Sequence, residues 1–192
     1  MSRIGYTPIE IPEKLKVSIT KDSVTVSGDK GELSCKIRPG IKVKKKDNKI
    51  LVDREGDDKQ TKSFHGLTAS LINNMLVGLT KGYTKELQVI GTGYSAEVVG
   101  PWLKLNVGYA HDILLEIPEL IEVKAEAVPR REQGHLGVQA KITVHGIMKE
   151  LVGKFAAEIK KCRVPLNYAT GKGIRFKGEY VRIKPGKTAA TA

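Results

Sequence analysis

The feature that most constrains the fold is an internal repeat with an offset of 80 residues. The stretch Phe64-His65-Gly66-Leu67 recurs as Val144-His145-Gly146-Ile147. The apolar residues beyond it stay in register and recur every fourth position: Leu67, Leu71, Met75 and Leu79 in the first copy, and Ile147, Leu151, Phe155 and Ile159 in the second. Side chains four residues apart lie on one face of an α-helix. The pattern therefore predicts one amphipathic helix in each half of the chain.

Upstream of each predicted helix, apolar and polar residues alternate, which is the pattern of half-buried β-strands. Two pairs of segments match at an offset of 72: Ser23–Gly28 with Ser95–Gly100, and Ile41 to Val43 with Ile113 to Leu115. The change of offset from 72 to 80 predicts eight additional residues in the second half. We expect them in the polar stretch Pro129–Leu136, which has the composition of a loop between strands.

Several strands followed by one helix predict an α+β fold. We expect two tandem similar domains, each a mostly antiparallel sheet packed against one helix, and a basic C-terminal extension. The predicted boundaries are residues 1–82 for the first repeat, 83–165 for the second and 166–192 for the C-terminal segment. A chain of 192 residues is long enough for two compact units of this size.

The chain carries a large excess of positive charge, since 33 Lys and Arg residues outnumber 21 Asp and Glu residues by 12. Such an excess indicates an anionic partner: nucleic acid, a membrane surface or an acidic protein. No apolar run is long enough to span a membrane, and residues 1–5 lack the apolar core of a signal peptide. Cys35 and Cys162 show neither zinc-ligand spacing nor a disulfide framework. We therefore expect a cytoplasmic protein without a metal site.

Three patterns could indicate catalysis or a cofactor, and each lacks its required context. Gly91-Thr92-Gly93-Tyr94-Ser95-Ala96 matches a dinucleotide fingerprint, but strand-like residues follow where that motif needs a helix. Gly186-Lys187-Thr188 resembles the end of a P-loop, but Val181 stands where the motif requires glycine. His65 and His145 hold equivalent places at the predicted helix starts, which favours a structural role. The sequence therefore predicts no catalytic residue, no cofactor and no enzyme.

Positive charge is concentrated after the second predicted helix. The 28 residues from Lys160 to Lys187 contain nine basic side chains and one acid, Glu179. This density is typical of a phosphate-binding segment, and its glycines and prolines argue against the amphipathic helix that a membrane surface would require. Tyr168 and Phe176 offer flat faces for stacking on a base or ribose.

The candidate RNA-binding residues are Arg3, Arg163, Tyr168, Lys172, Arg175, Phe176, Lys177, Arg182, Lys184 and Lys187. Arg3 and the pair Arg130-Arg131 are the weaker candidates, and Arg163 is expected at the junction between the helix and the segment. The residues expected to tether the segment to the body by short strand-like stretches are Ile174, Phe176, Tyr180, Val181 and Ile183. The high density of glycine and like charge predicts a segment that is disordered alone and folds on RNA.

Other interpretations stay open at this stage. The basic residues could form a solvated tail with no specific partner, or the repeat could be a scaffold that binds proteins along its strand edges. An enzyme that uses NAD or FAD would rest only on the rejected glycine pattern.

Several motifs together resemble the ribosomal protein L6 family of bacterial type. They are the runs Gly171-Lys172-Gly173-Ile174-Arg175-Phe176 and Lys184-Pro185-Gly186-Lys187, the helix region Gly146–Ile159, the opening Met1–Gly5 with Pro8–Pro12, and Gly91-Thr92-Gly93-Tyr94. The chain departs from the family pattern Tyr-Lys-Gly-Lys-Gly between Tyr168 and Gly173, where it is one residue longer and has one lysine fewer.

The resemblance covers essentially the whole chain and implies two similar α+β domains in a structural protein of the large ribosomal subunit. It also implies contact with large-subunit ribosomal RNA near the translation-factor binding region, with the C-terminal segment among the main contacts. Neighbouring ribosomal proteins would be further partners, translation factors would lie nearby, and no membrane is expected.

Overall fold

The computed structural model describes residues 5–46, 48–134, 137–168 and 171–184. The chain divides into two compact units. Unit 1 ends at Gly82 and also includes Ile147–Lys149, and unit 2 contains Tyr83–Gly146 and the residues from Glu150 onward. The predicted α+β class with antiparallel sheets and two helices is confirmed.

Unit 1 consists of six strands followed by one helix: β1 (Ile9–Glu10), β2 (Lys16–Ile19), β3 (Ser23–Gly28), β4 (Gly31–Lys36), β5 (Ile41–Lys46), β6 (Lys49–Arg54) and α1 (Lys59–Thr80). The strands form two three-stranded sheets, with the orders β1-β6-β5 and β2-β3-β4. Val26 of β3, Ile50 of β6 and Ile72 of α1 are fully buried in one core. Alternate residues of the strands and one face of the helix therefore form the core of unit 1.

Unit 2 consists of six strands, a helix and a seventh strand: β7 (Tyr83–Ile90), β8 (Ser95–Val99), β9 (Trp102–Asn106), β10 (Ile113–Glu116), β11 (Ile121–Ala127), β12 (Val138–Gly146), α2 (Lys149–Cys162) and β13 (Gly173–Phe176). A short 3-10 turn at Arg130–Glu132 lies between β11 and β12. The sheet orders are β10-β9-β8 and β11-β12-β7-β13. Leu103, Ile142 and Ile159 are fully buried in the core of this unit.

The two units share one strand topology. The order β1-β6-β5 corresponds to β7-β12-β11, and β2-β3-β4 corresponds to β8-β9-β10. β13 has no counterpart among the described strands of unit 1, where β1 pairs only with β6. The C-terminal segment therefore adds one strand to a repeat that is otherwise complete.

The predicted strand alignment at an offset of 72 is wrong by one strand. It matched β3 with β8, yet β3 is the central strand of its sheet and β8 is an edge strand. The equivalent central strands are β3 and β9, whose buried residues Val26 and Leu105 lie 79 positions apart, and Ile41 and Ile121 lie 80 apart. An alternation of period two is the same in every strand, so it cannot tell neighbouring strands apart.

The additional residues of unit 2 lie between β11 and β12, where they were predicted. Residues 128–137 connect these strands, whereas residues 47 and 48 connect β5 and β6. The difference between connections of ten and two residues is the expected eight. His135 and Leu136 of the predicted loop lie outside the described residues.

Both predicted helices are present, but the sequence match at an offset of 80 that predicted their starts does not hold after the additional residues between β11 and β12. α1 has 22 residues and α2 has 14. His65 consequently lies within α1 and His145 lies on β12, so the prediction that both stand at helix starts is wrong. Both rings are hydrogen-bonded all the same. His65 Nε2 is 2.8 Å from the carbonyl oxygen of Val52, and His145 Nδ1 is 2.9 Å from Oγ1 of Thr84.

The predicted apolar stripe on the helices is correct only in its C-terminal half, since Met75 and Leu79 are buried but Leu67 is 43% exposed. A helical turn has 3.6 residues, so positions four apart drift around the helix. The buried faces instead use spacings of three and four, with Ile72, Met75, Leu76 and Leu79 in α1 and Val152, Phe155, Ala156 and Ile159 in α2.

Candidate RNA interface

Strand β13 attaches the C-terminal segment to the body of unit 2. It pairs antiparallel with the edge of β7, and Ile174 is fully buried in the core. The Ile174 amide also donates a hydrogen bond to the carbonyl oxygen of Arg163 at 2.8 Å. The predicted tethers Ile174 and Phe176 are confirmed, since both pack on the core of unit 2. The structure differs from the prediction that the segment is disordered without RNA, because these residues form a strand at a sheet edge.

Gly173 allows the segment to pass close to the chain that leaves α2. Its φ is +145°, and a Cβ there would lie 2.7 Å from Cα of Pro165 and 2.8 Å from the nitrogen of that residue. Only glycine fits such a backbone and such a contact without strain. The neighbouring Gly171 amide donates to the carbonyl oxygen of Tyr168 at 3.2 Å, so this amide is already used within the loop.

A turn after β13 is held by Glu179, the one acid of the basic run. Its Oε1 lies 2.5 Å from Nζ of Lys160, and its Oε2 accepts a hydrogen bond from the Phe176 amide at 3.0 Å. The hydrogen bond from Lys160 is the main cause that lowers the pKa of Glu179, and the Phe176 amide adds to it against the opposing effect of partial burial. Lys160 is therefore paired within the protein.

Arg163 directly follows α2, at the predicted junction, and contacts two tyrosines. Its guanidinium carbon is 4.8 Å from the ring centroid of Tyr109. Hydrogen bonding to Tyr109, and next to Tyr94, raises the pKa of Arg163. The glycine pattern that ends at Tyr94 is a turn between β7 and β8, in which the Tyr94 amide donates to the Gly91 carbonyl oxygen at 3.0 Å. A strand follows it, which confirms that the dinucleotide motif lacks its helix.

Arg175 and Phe176 are held closely by the protein. Arg175 is 6% exposed, and its Nε and Nη2 are buried without a hydrogen-bond partner among the described residues. Phe176 packs partly on the core of unit 2. The ammonium groups of Lys160 and Lys85 lie 5.2 and 6.0 Å from the centroid of its ring. In this conformation both residues are better placed to hold the segment than to meet a ligand.

Four of the predicted cationic residues are exposed: Lys172, Lys177, Arg182 and Lys184. Lys177 forms a 2.7 Å ion pair with Glu86 although its side chain is 64% exposed. In the described part of the chain, the side chains of the other three have no carboxylate partner. These three charges are therefore free to pair with an anion. Arg3 and Lys187 lie outside the described residues.

The most exposed aromatic residue near these cations was not predicted as a site residue. Tyr180 is 88% exposed and does not tether the segment as expected, and Tyr168 is 62% exposed. Ile183, another expected tether, is 40% exposed. A search for every aromatic side chain that stands between basic residues would have found Tyr180. The weaker candidates Arg130 and Arg131 are exposed on the 3-10 turn.

Comparison with known proteins identifies the family. The chain matches the family model for Ribosomal protein L6 over residues 11–82 and 90–177. The chain belongs to the ribosomal protein L6 family. It is similar to the large ribosomal subunit protein uL6 of Thermoanaerobacter sp., with 46% identity over 189 residues that cover 98% of each chain. It is also similar to uL6 of Rhodopirellula baltica, with 44% identity over 98% of this chain and 99% of that one.

Family membership confirms the expectation of a structural ribosomal protein of the bacterial cytoplasm rather than an enzyme. The second family match ends at residue 177, so Arg182 and Lys184 lie beyond it. Within the described ranges, no helix is long and apolar enough to cross a bilayer. The same residues contain no group of three or more His, Cys, Asp or Glu side chains that could hold a metal ion.

Proposed function

We propose that this member of the L6 family binds large-subunit ribosomal RNA through its C-terminal segment, residues 166–192, near the translation-factor binding region. The observation that carries the proposal is the group of exposed, unpaired cations, Lys172, Arg182 and Lys184, beside a strand fixed in the sheet. The resemblance of the C-terminal signature to the family supports the location. Neighbouring ribosomal proteins are proposed as further partners, and translation factors would bind nearby.

The proposed mechanism divides the segment into an anchor and a contact surface. β13, Glu179 and the tyrosine-bound Arg163 fix the base of the segment before RNA arrives, so less conformational entropy is lost on binding. Lysine and arginine then replace the counterions of the RNA backbone, which releases those ions. Tyr168 and Tyr180 can stack on an unpaired base or a ribose. Phosphate contacts of this kind position the protein with little base preference.

The proposal is tested by replacing Lys172, Lys177, Arg182 and Lys184 with glutamine in the full chain. The matched control replaces four exposed lysines of unit 1: Lys14, Lys16, Lys21 and Lys36. Affinity for large-subunit ribosomal RNA is measured as a function of salt concentration. We expect the quadruple variant to lose affinity and to flatten the slope of log K against log salt by about three, because each lost phosphate contact reduces it by about one. The control variant should change both the affinity and the slope little.

Equal losses in the two quadruple variants would mean that the positive charge acts without a defined surface. If the quadruple variant binds RNA with the same affinity and salt dependence as the original chain, the interface lies elsewhere on the folded units. The location is tested separately with two RNA fragments of equal length, one from the factor-binding region and one from a distant part of the same RNA. Equal affinity for both fragments would contradict the proposed location but not the use of the segment.

A further inference from the structure

The sheet β10-β9-β8 has one face on the core of unit 2 and one face that no described element of the unit covers. Leu103 of the central strand points inward and is fully buried, while Trp102 and Lys104 alternate with it on the outer face. Val99 of β8 pairs directly with Trp102. Glu116 of β10 pairs with Trp102 from the other side. Directly paired residues in an antiparallel sheet project from the same face, so these side chains are neighbours.

Three apolar side chains on this outer face are exposed next to one another. Trp102 is 41% exposed, Val99 is 54% exposed and Leu114 is 57% exposed. Leu114 pairs with Lys104 and therefore lies diagonal to Trp102, a separation that an aromatic side chain can reach. Single exposed apolar residues are common on protein surfaces, but a cluster around a tryptophan is typical of binding surfaces, where tryptophan often contributes most of the energy.

The charges on this face are negative in balance, although the chain as a whole is strongly positive. Strands β8, β9 and β10 with the adjoining Asp112 carry three acids, Glu97, Asp112 and Glu116, and one cation, Lys104. Lys104 pairs with Asp112 at 3.0 Å, and hydrogen bonding to Asp112 is the main cause that raises the pKa of Lys104. Glu116 forms no ion pair within the described part of the chain. An RNA backbone would be repelled by this balance, whereas a cationic polypeptide would be attracted.

We propose that this face docks a lysine- or arginine-rich segment of a neighbouring protein in the large ribosomal subunit. An apolar side chain of that segment packs on Trp102 between Val99 and Leu114, and one of its cations pairs with Glu116. Charge complementarity selects this partner over RNA. It also argues against a second copy of the same face, because two negative surfaces would repel. The inference assumes that the chain is assembled in the subunit, but not that the C-terminal segment binds RNA.

The test places a photo-cross-linking amino acid at position 114 of the full chain and uses purified large subunits that contain it. We expect a cross-link to a protein, at a segment in which lysine and arginine exceed aspartate and glutamate. The matched control carries the same cross-linker at position 67, because Leu67 is 43% exposed on α1 of unit 1. It should not capture that segment. Cross-links from position 114 only to RNA, only to a second copy, or to nothing would each overturn the proposal.

Two surface variants check the predicted contacts once the cross-linked segment is known. Glu116→Lys reverses the proposed ion pair, and Trp102→Thr removes the apolar contact with a residue that suits strands. Each should reduce the affinity of the synthetic segment for the full chain roughly tenfold or more, the usual loss when a central interface residue is removed. Leu67→Thr is the matched control. If Glu116→Lys binds as tightly as the unchanged protein, the charge argument is wrong even if Trp102→Thr folds poorly.

Failure of this proposal can be told apart from failure of the RNA proposal. The glutamine variants of the C-terminal segment leave the outer face of β8, β9 and β10 intact. A loss of RNA affinity in those variants and a loss of the protein cross-link at position 114 are therefore independent results.

Discussion

Arg175 and Tyr180 show how differently two residues of one short segment can be placed. Arg175 lies on β13 between Ile174 and Phe176 and is nearly buried, and two of its nitrogens have no hydrogen-bond partner among the described residues. A buried donor without an acceptor costs about 1 to 3 kcal/mol. Tyr180, four residues beyond the strand, is almost fully exposed. Arg175 is therefore expected to lower the free energy of unfolding, whereas Tyr180 should have little effect on it.

Replacing Arg175 with methionine should leave the free energy of unfolding within about 1 kcal/mol of the original value or increase it. A long apolar side chain keeps most of the buried volume, and buried charged groups can be replaced this way without loss of stability. Urea denaturation followed by the fluorescence of Trp102 measures the effect, since this is the one tryptophan of the chain. A loss of several kcal/mol would show that the guanidinium is well satisfied. A stable variant with weak RNA binding would identify Arg175 as a direct contact.

Replacing Tyr180 with alanine should weaken RNA binding about tenfold without changing stability. Stacking of a base on an aromatic side chain contributes about 1 to 3 kcal/mol, and an exposed side chain makes few contacts in the folded protein. Tyr180→Phe keeps the ring and should bind as the original chain does. If the phenylalanine variant loses as much affinity as the alanine variant, the hydroxyl rather than the ring makes the contact.

At the scale of single elements, the attachment of β13 depends on Gly173. Gly173→Ala should destabilise unit 2 by about 2 to 4 kcal/mol, because the new Cβ meets the backbone of Pro165 and the positive φ is strained. Gly178 is the matched control, since its φ is +79° but a Cβ there meets no atom within 4 Å. Gly178→Ala should therefore cost about 1 to 2 kcal/mol, the penalty of the backbone conformation alone. Urea denaturation of both variants gives the comparison.

The turn after β13 should also depend on pH through Glu179. A carboxyl whose pKa is lower in the folded protein stabilises the fold above its unfolded pKa of about 4.3. That contribution is lost as the pH falls through the folded value. The Phe176 amide donates to this carboxyl, so its NMR chemical shift should titrate with a midpoint below 4.3. In Glu179→Gln the same amide should show no such step. A midpoint at or above 4.3 would mean that Lys160 does not stabilise the carboxylate.

The sequence predicted the secondary-structure elements more accurately than it predicted which strands of the two units are equivalent. The helices, the α+β class and the place of the insertion follow from spacing and composition, which are local properties. The matching of β3 with β8 was wrong because several strands have the same alternation of apolar and polar residues, which does not distinguish one strand from its neighbour. The burial of Arg175 could not be predicted either, since it requires knowing that Gly173–Phe176 joins the edge of β7. Charge counting found the basic segment but could not show that Glu179 pairs with Lys160 and Glu86 with Lys177.

At the scale of the whole molecule, the surfaces of both proposals lie in unit 2 of a duplicated fold. Both units have the same arrangement of six strands and one helix, and β13, which has no counterpart among the described strands of unit 1, carries the basic segment. Unit 2 also contains the acidic and apolar face around Trp102. A duplicated fold can keep its core in both copies while one copy gains new surfaces. Each core accordingly buries apolar strand residues and one helix face, while β13 and the face around Trp102 belong to unit 2.

Two truncations of the full chain should separate the structural part of the C-terminal segment from its binding part. A chain that ends at Tyr180 keeps β13 and Glu179 but loses Arg182 and Lys184. It should unfold at nearly the same urea concentration and bind RNA more weakly. A chain that ends at Pro165 also loses Ile174 from the core, which costs about 2 to 5 kcal/mol for a buried side chain of this size.

The shorter chain also exposes the edge of β7, and an unprotected edge strand favours aggregation. Trp102 lies in unit 2, so its fluorescence reports the unit that each truncation affects. Equal stability of the two truncated chains would mean that β13 contributes nothing to the fold and that the segment acts only through its charges. Equal RNA affinity of the full chain and the chain ending at Tyr180 would instead assign the contact to Lys172, Lys177 and the residues before them.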